Sequence, residues 1–222
     1  MLSSPLAVIK AVLFDLDGTL ADTAPDLGYA LNRQREKHGL EALPLPTIRP
    51  YVSQGGRGLM KIGFNLAPGD AVYDARRAEF LDFYEERLCH DTRLFAGIPE
   101  VLTELERKSL PWGVVTNKIE RFTLPLMQKL KLDRRAACIV SGDTGVNSKP
   151  HPEPLLMASS KIGVPPPACV YVGDDERDVQ AAHAAGMQAM VARYGYLGNG
   201  ARPEAWGAET YIFSPIEILQ FL

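Results

Sequence analysis

The amino-acid sequence predicts an α/β fold, in which a doubly wound, Rossmann-like parallel sheet carries an inserted helical cap domain. Three observations support this fold class. Short apolar runs typical of buried parallel strands recur along the chain, helical patterns alternate with the later runs, and a long, mostly helical stretch separates the first run from the second. The chain of 222 residues, 46% of them hydrophobic, is long enough for one large domain with a smaller insertion.

The apolar runs predict the strands of the sheet, and the helical patterns between them predict the crossovers. Pro99 stands in the favoured first turn of one helix, and Gly186 closes another where a left-handed residue is expected. Because strand and helix alternate, the strands should be parallel. The predicted strands are residues 8–14, 111–116, 137–141, 168–172 and 188–192, with a weaker one at 210–213, and the predicted helices are residues 99–109, 119–131, 152–163 and 176–186.

The stretch between the first two strands is far longer than a crossover needs. We therefore predict that residues 22–90 form the helical cap domain, while residues 1–21 and 91–222 form the α/β core. The sequence contains no internal repeat and no low-complexity tract that would suggest another architecture.

Within this stretch, two longer helices are predicted. The first should begin at Thr23, with Pro25 in its first turn, and end near Gly39. The second should cover residues 70–89, where one face carries large apolar side chains. Turns between them should introduce one or two shorter helices. The apolar face consists of Tyr73, Phe80, Tyr84 and Leu88, and the turns are residues 44–50 and 53–60.

Charge and cysteine content exclude several classes of function. The net charge is −3, so no overall positive field would attract nucleic acid or an anionic membrane. Cys89, Cys138 and Cys169 are far apart and lack a paired spacing, so neither a disulfide framework nor a zinc site is indicated. Residues 1–10 lack the basic start of a signal peptide, and no apolar stretch is long enough to span a membrane. We expect a soluble cytoplasmic protein whose oligomeric state the sequence does not indicate.

Polar residues follow the ends of the predicted strands, where an open α/β sheet binds its ligands. Asp15 and Asp17 stand one residue apart at the end of the first strand, and two carboxylates so close to a core require a cation. Each cluster alone has an ordinary explanation, such as a turn, a helix cap or a solvated side chain. Their occurrence in order at equivalent strand ends is much more specific. The other clusters are Thr116 with Asn117, Lys149, and Gly173 to Asp178.

The four clusters resemble, in order and context, the four motifs of the haloacid dehalogenase superfamily. They read DLDGTL, VVTNK, NSKP and GDDERD, and the likeness covers essentially the whole chain. The helical insertion after the first motif resembles the C1 cap of that superfamily. Within it, the chain is similar to the phosphoglycolate phosphatase group. The stretches WGVVTNK and RYGY resemble equally well a subgroup that acts on N-acetylmuramic acid 6-phosphate.

The resemblance implies a phosphomonoester hydrolase that works through an aspartyl phosphate. Asp15 would be the nucleophile and Asp17 the general acid and base. Lys149 would bridge Asp15 and the phosphate. Thr116 and the backbone of Asn117 would bind phosphate oxygens, and Gly18 would let the chain turn closely around the group.

The same resemblance implies a Mg²⁺ cofactor. Its protein ligands would be the carboxylates of Asp15 and Asp174 and the backbone carbonyl of Asp17. Asp175 would hold a coordinated water, and Asp178, one helical turn beyond Asp174, would orient Lys149. The substrate would be a small phosphorylated carboxylic or sugar acid, with 2-phosphoglycolate expected first and N-acetylmuramic acid 6-phosphate as the close alternative.

Several alternatives stay open at this level. Arg57, in SQGGRGL, would clamp a substrate carboxylate, although an exposed arginine in a flexible turn fits the pattern equally well. A phosphosugar mutase shares all four motifs. Asp17 argues against a dehalogenase, and nothing marks Lys37 or Lys61 as the cap lysine of a phosphonate hydrolase. The large cap argues against a non-catalytic receiver-like module.

Overall fold

The central feature of the molecule is a six-stranded parallel sheet. The computed structural model describes residues 8–222. The predicted fold class is confirmed, and each predicted strand has a counterpart in this sheet. In spatial order the strands are β5 (Cys138–Val140), β4 (Trp112–Val115), β1 (Ala11–Phe14), β6 (Cys169–Gly173), β7 (Gln188–Ala192) and β8 (Thr210–Ile212). The predictions for residues 1–7, the start of the core and most of the segment judged not to be a signal peptide, lie outside the described residues.

The central strand β1 is apolar at every position because both of its faces are covered. Its four residues are fully buried, and the strand pairs with β4 on one side and β6 on the other. Successive side chains alternate between two hydrophobic clusters: Val12 and Phe14 belong to one, and Ala11 and Leu13 to the other. This explains why the strand appears as a continuous apolar run rather than an alternating pattern.

Helices cover both faces of the sheet, as predicted, with ends that differ from the predictions by a few residues. The helix that follows β6 begins with a capping box, in which the Asp175 side chain accepts from the first turn and the Asp178 side chain accepts from the Asp175 backbone. The core helices are α5 (Ile98–Arg107), α6 (Glu120–Lys129), α7 (Glu153–Ile162) and α8 (Glu176–Ala184).

Four α-helices lie within residues 22–90, and we call this segment the cap. The chain leaves the core through Ala21–Asp22 (β2) and returns through Arg93–Leu94 (β3), and these two short strands pair antiparallel. The division of the chain into domains at residues 22 and 90 stays a prediction. The cap helices are α1 (Ala24–Lys37), α2 (Leu45–Ile48), α3 (Gly55–Phe64) and α4 (Tyr73–Glu86).

Both predicted turns were wrong in part, because α2 lies within residues 44–50 and residues 53–60 are also largely helical. Most of this segment is the first part of α3, and only Ser53 and Gln54 belong to the short 3₁₀ helix before it. The glycines of this segment are typical of turns, so the helix was not predicted. The helix is stabilised by the burial of Leu59 and Met60 against the rest of the cap. The predicted apolar face of α4 is confirmed, although Leu88 lies just beyond the end of the helix.

Within residues 8–222, no helix has both the length and the apolar character needed to cross a lipid bilayer.

Candidate active site

Three buried carboxylates meet at the carboxyl edge of the sheet. Asp15 follows β1 and Asp174 follows the neighbouring strand β6, so the topology brings their side chains together. Asp178 joins them from the first turn of α8. All three side chains are buried, and each offers a carboxylate oxygen within 4.8 Å of those of the other two. The predicted residues Asp15 and Asp174 are therefore adjacent.

Lys149 lies among these carboxylates with its ammonium group almost fully buried. Its Nζ atom is 2.9 Å from Asp15 Oδ1 and 2.8 Å from Asp178 Oδ1. It also donates to the hydroxyl of Tyr171, at 2.7 Å, which in turn donates to the backbone carbonyl of Val115. Burial alone would lower the pKa of Lys149, but the two carboxylates raise it, so the ammonium stays charged.

One ammonium does not balance three carboxylates. Burial is the main cause that raises the pKa of Asp15 to about 6, with Lys149 acting in the opposite direction. Burial, followed by the charges of Asp15 and Asp178, raises the pKa of Asp174 well above its ordinary value. Ionisation of all three carboxylates at once is therefore unfavourable, and a further cation would stabilise their charged forms.

The donor set fits a hard divalent cation. It consists entirely of oxygen atoms, which Mg²⁺ prefers. Gly18 and Gly195 press against Asp174 so closely that a Cβ atom at either position would overlap its side chain. Gly18 also has a φ of 85°, in the left-handed region that glycine adopts readily. These glycines fix the position of Asp174 at the edge of the cluster.

Asp17 lies beside this cluster and is held by two donors. Thr23 Oγ1 donates to Asp17 Oδ1 at 2.5 Å, and Lys118 Nζ is 2.9 Å from the same oxygen. The Lys118 side chain is only 8% exposed, and its ammonium lies 4.9 Å from the ring centroid of Tyr84 on cap helix α4. The sequence reasoning missed Lys118 as a site residue. A lysine directly after the Thr-Asn pair at a strand end was the available signal.

Thr116 and Asn117 are placed by β4 and have different partners. The Thr116 hydroxyl accepts from the backbone N–H of Lys118, at 3.2 Å, so its own hydrogen remains available. The Asn117 side chain donates to the carbonyl of Lys149 and accepts from its N–H, both at 2.9 Å. This pair of bonds fixes the backbone that carries Lys149, a contribution that sequence spacing did not indicate.

Cap and core meet at Asp174 and Asp175. Asp174 Oδ2 accepts from the hydroxyl of Ser53 in the cap, at 2.9 Å, and from the backbone N–H of Tyr196, at 2.8 Å. Both oxygens of Asp175 bind Arg177, which also donates to the carbonyl of Ser53. The role foreseen for Asp175, holding a coordinated water, stays a prediction. Sequence reasoning gave no role to Arg177, although it lies within GDDERD, two residues from Asp175. It also missed Ser53 and Tyr196, whose contacts with Asp174 form only in the folded chain.

A cavity of about 250 Å³ opens above Asp15 and Asp17, between the cap and the core. Helix α4 forms much of its wall, and two exposed arginines from the cap, Arg57 and Arg77, reach it. Of the described residues that line the cavity, none is Lys37 or Lys61, which bind Glu79 and Asn65 respectively. The apolar part of the wall consists of Leu27, Val52, Tyr73, Phe80, Leu81, Tyr84, Ile119 and Phe122.

Comparison with known proteins identifies the family. Residues 12–192 match the family model described as haloacid dehalogenase-like hydrolase. The chain belongs to this family. The resemblance seen in the four motifs is thereby confirmed, and the matched region includes all of them.

Relatives of this family member are named phosphatases. The chain is 41% identical over 214 residues to an N-acetylmuramic acid 6-phosphate phosphatase of Pseudomonas aeruginosa, a match that covers 96% of this chain and 95% of the relative. It is also 41% identical over 209 residues to a phosphoglycolate phosphatase of Xanthomonas campestris pv. campestris, with 94% of both chains covered. The chain is a phosphatase of the haloacid dehalogenase-like family.

A solved structure has the same architecture. The crystal structure of a predicted phosphoglycolate phosphatase from Haemophilus somnus superimposes with a TM-score of 0.85, at 25% sequence identity. The match covers 96% of this chain and 97% of that chain, so it includes both the sheet and the cap helices.

Proposed function

We propose that the protein is a Mg²⁺-dependent phosphomonoester hydrolase, acting through an aspartyl phosphate on a small phosphate ester that carries a carboxylate. The cluster of Asp15, Asp174, Asp178 and Lys149, of which Asp15 lines the cavity, is the observation that carries this proposal. It joins a nucleophile, an ammonium and an oxygen donor set beside the cavity between cap and core.

Asp15 acts as the nucleophile. The backbone N–H of Leu16 and the ammonium of Lys149 both contact Asp15 Oδ1, at 2.8 and 2.9 Å. This arrangement leaves Oδ2 with lone pairs free to attack phosphorus, so the carboxylate is oriented before the ester arrives. Lys149 and the Thr116 hydroxyl then donate to phosphate oxygens as negative charge develops.

Asp17 transfers the proton. Thr23 and Lys118 both donate to its Oδ1 atom, and the proton for the departing alkoxide is carried by Oδ2. After the leaving group has gone, the same oxygen accepts a proton from the water that hydrolyses the aspartyl phosphate. Because Thr23 is the residue before α1, the acid is held by the segment that joins core to cap.

The metal-binding residues are the carboxylates of Asp15 and Asp174 and the backbone carbonyl of Asp17, with Asp178 close enough to contribute. When bound, Mg²⁺ supplies the positive charge that lets a dianionic phosphate approach a carboxylate. Lys149 alone offsets only part of the negative charge of the cluster, which supports this assignment.

The shape of the cavity favours a phosphorylated sugar acid, N-acetylmuramic acid 6-phosphate, over the two-carbon acid expected first from the sequence. The cavity follows α4 from Tyr84, beside Asp17, to Tyr73, and eleven residues of helix span roughly 16 Å at 1.5 Å per residue. Aromatic rings along this wall match the carbon face of a sugar, and Arg57 and Arg77 are suited to a distant carboxylate. A two-carbon acid would leave most of the wall without contact.

A second candidate is 2-phosphoglycolate. It is favoured by the phosphoglycolate phosphatase of Xanthomonas campestris, which is as similar to this chain as the N-acetylmuramic acid 6-phosphate phosphatase, at 41% identity. Both substrates are small metabolites with a carboxylate. For either substrate, the proposal places the protein in the cytoplasm.

A panel of phosphate esters tests the proposal. Phosphate release with Mg²⁺ is measured for N-acetylmuramic acid 6-phosphate, 2-phosphoglycolate and glucose 6-phosphate, which has no carboxylate. We expect the highest kcat/KM for the first ester. Isomerisation of glucose 6-phosphate that needs a sugar bisphosphate activator and releases no phosphate would contradict the proposal and indicate a mutase. An equal rate of phosphate release with glucose 6-phosphate would contradict carboxylate recognition.

Arg57→Ala refines the same test. We expect KM for the preferred acid to rise about tenfold, because a guanidinium–carboxylate bond is lost, and KM for glucose 6-phosphate to stay unchanged. Arg33→Ala, on the outer face of α1, is the matched control. Unchanged kinetics for both acids in the Arg57 variant would show that this arginine does not bind the carboxylate.

A further inference from the structure

The hydroxyl of Tyr84 is a buried polar group without a hydrogen-bond partner. Tyr84 is 1% exposed, and among residues 8–222 only three buried side-chain atoms lack a partner: Gln34 Oε1, Tyr84 OH and Arg87 Nε. Of these three residues, Tyr84 alone lines the cavity above Asp15. Buried polar groups are normally hydrogen-bonded, so an exception at the wall of a ligand cavity calls for an explanation.

The ring of Tyr84 is held firmly where it is. It stacks against Phe80 of the same helix, with centroids 6.5 Å apart, and packs against Phe122 of core helix α6, at 5.3 Å. The ammonium of Lys118 lies 4.9 Å from the centroid of its ring and forms an ion pair with Asp17. Tyr84 is thus part of the cap wall, and Lys118 links it to Asp17, the residue proposed to donate to the ester oxygen.

The Tyr84 hydroxyl also keeps its proton. Burial raises the pKa of Tyr84 to about 12, so the group is a neutral donor at any pH at which the protein works. Apolar packing around a fixed donor is the arrangement that recognises one oxygen atom of a ligand and rejects ligands without it.

We propose that Tyr84 is a specificity-determining residue, whose hydroxyl donates to an oxygen on the carbon next to the ester-bearing carbon of the leaving group. The inference rests on the proposed function, since it assigns part of the substrate of that site. In 2-phosphoglycolate this oxygen belongs to the carboxylate, and in N-acetylmuramic acid 6-phosphate to the sugar ring. Ethyl phosphate has the same ester group and no such oxygen.

Tyr84→Phe tests the proposal by removing only the hydroxyl. For each acid, the ratio of its kcat/KM to that of ethyl phosphate is measured in the wild-type and variant enzymes. We expect the ratio to fall about tenfold for the preferred acid. The acid whose ratio falls is the one that supplies the oxygen bound by Tyr84. Tyr29→Phe, which removes a hydroxyl from an exposed tyrosine of α1, is the control and should change neither ratio.

Two readouts separate this proposal from its alternatives. Inorganic phosphate has no leaving group, so its inhibition constant should be the same in Tyr84→Phe as in the wild type, which shows that the site is intact. Ratios unchanged for both acids, or an equal loss with ethyl phosphate, would overturn the role of Tyr84. A wild-type enzyme that hydrolyses none of these esters would instead overturn the proposed function.

Discussion

At the scale of single residues, the interior charges of the site depend on one another. Lys149 contacts two buried carboxylates, and the three groups are held by bonds from Asn117 and Tyr171 to the lysine backbone and side chain. A buried ion pair contributes little net stability compared with apolar residues, but removing one partner leaves the other without compensation. The contacts of Lys149 therefore hold charged groups in position and add little to the net stability of the fold.

Lys149→Met should destabilise the protein strongly for this reason. In the absence of Mg²⁺, the free energy of unfolding measured with urea should fall by about 3 kcal/mol, because Asp15 and Asp178 lose their buried counter-ion. Lys161→Met, at an exposed position of α7, is the matched control and should change it by less than about 0.5 kcal/mol. Equal effects of the two substitutions would contradict the charge balance described above.

From the sequence, site residues could be predicted only where they follow the ends of the strands. Asp15, Asp17 and Asp174 could be expected at one edge because parallel strands end together. Lys118 could have been added, since it directly follows Asn117. Ser53 could not, because its contact with Asp174 joins segments 121 residues apart, which no local pattern encodes. Tyr196, 22 residues beyond Asp174, binds it through its backbone N–H, and a backbone donor leaves no signal in the residue type.

At the scale of elements, the pairing of α1 with α4 holds the cap together. Glu79 of α4 accepts from Lys37, Gln34 and His38 of α1 or its C-terminus. Burial opposes the charge of Glu79, but these hydrogen bonds outweigh it and lower its pKa to about 2. The charged form of Glu79 is therefore more stable in the folded protein than in the unfolded chain.

Glu79→Gln should remove the part of the free energy of unfolding that depends on the ionisation of Glu79. Because the pKa of Glu79 is depressed on folding from its ordinary value of 4.5, its contribution is fully present above pH 4.5 and is lost as the pH falls toward 2. The difference in unfolding free energy between wild type and variant, from urea titrations, should shrink over that interval. Glu86→Gln, at an exposed position of the same helix, should show no such trend. A difference that grows on acidification would contradict this assignment.

The elements themselves were predicted unevenly. The apolar face of α4 was readable because large side chains recur at helical spacing. Helix α3 was not, because three glycines within GGRG favour turns and the helix forms only when tertiary packing buries Leu59 and Met60. The strands were found reliably, since a strand covered on both faces is apolar throughout.

At the scale of the whole molecule, the cap closes over the core by contacts at the site itself. Ser53 of the cap binds Asp174, Tyr84 of the cap packs against Phe122, and Arg177 of the core donates to the Ser53 carbonyl. Closing the cap thus completes the cavity at the same carboxylates proposed to bind the metal. Sequence patterns indicated an inserted helical segment, whereas its contacts with the core join residues far apart in the chain and could not be predicted.

The central claim is that Asp15 receives the phosphoryl group, and trapping the intermediate tests it most directly. The enzyme is mixed with the preferred phosphate ester and Mg²⁺, quenched within one turnover, and treated with borohydride, which reduces an aspartyl phosphate to homoserine. We expect homoserine at position 15 in the digested protein, and none when chelator replaces Mg²⁺. Phosphate release with an unmodified Asp15, or at the full rate in Asp15→Asn, would contradict it.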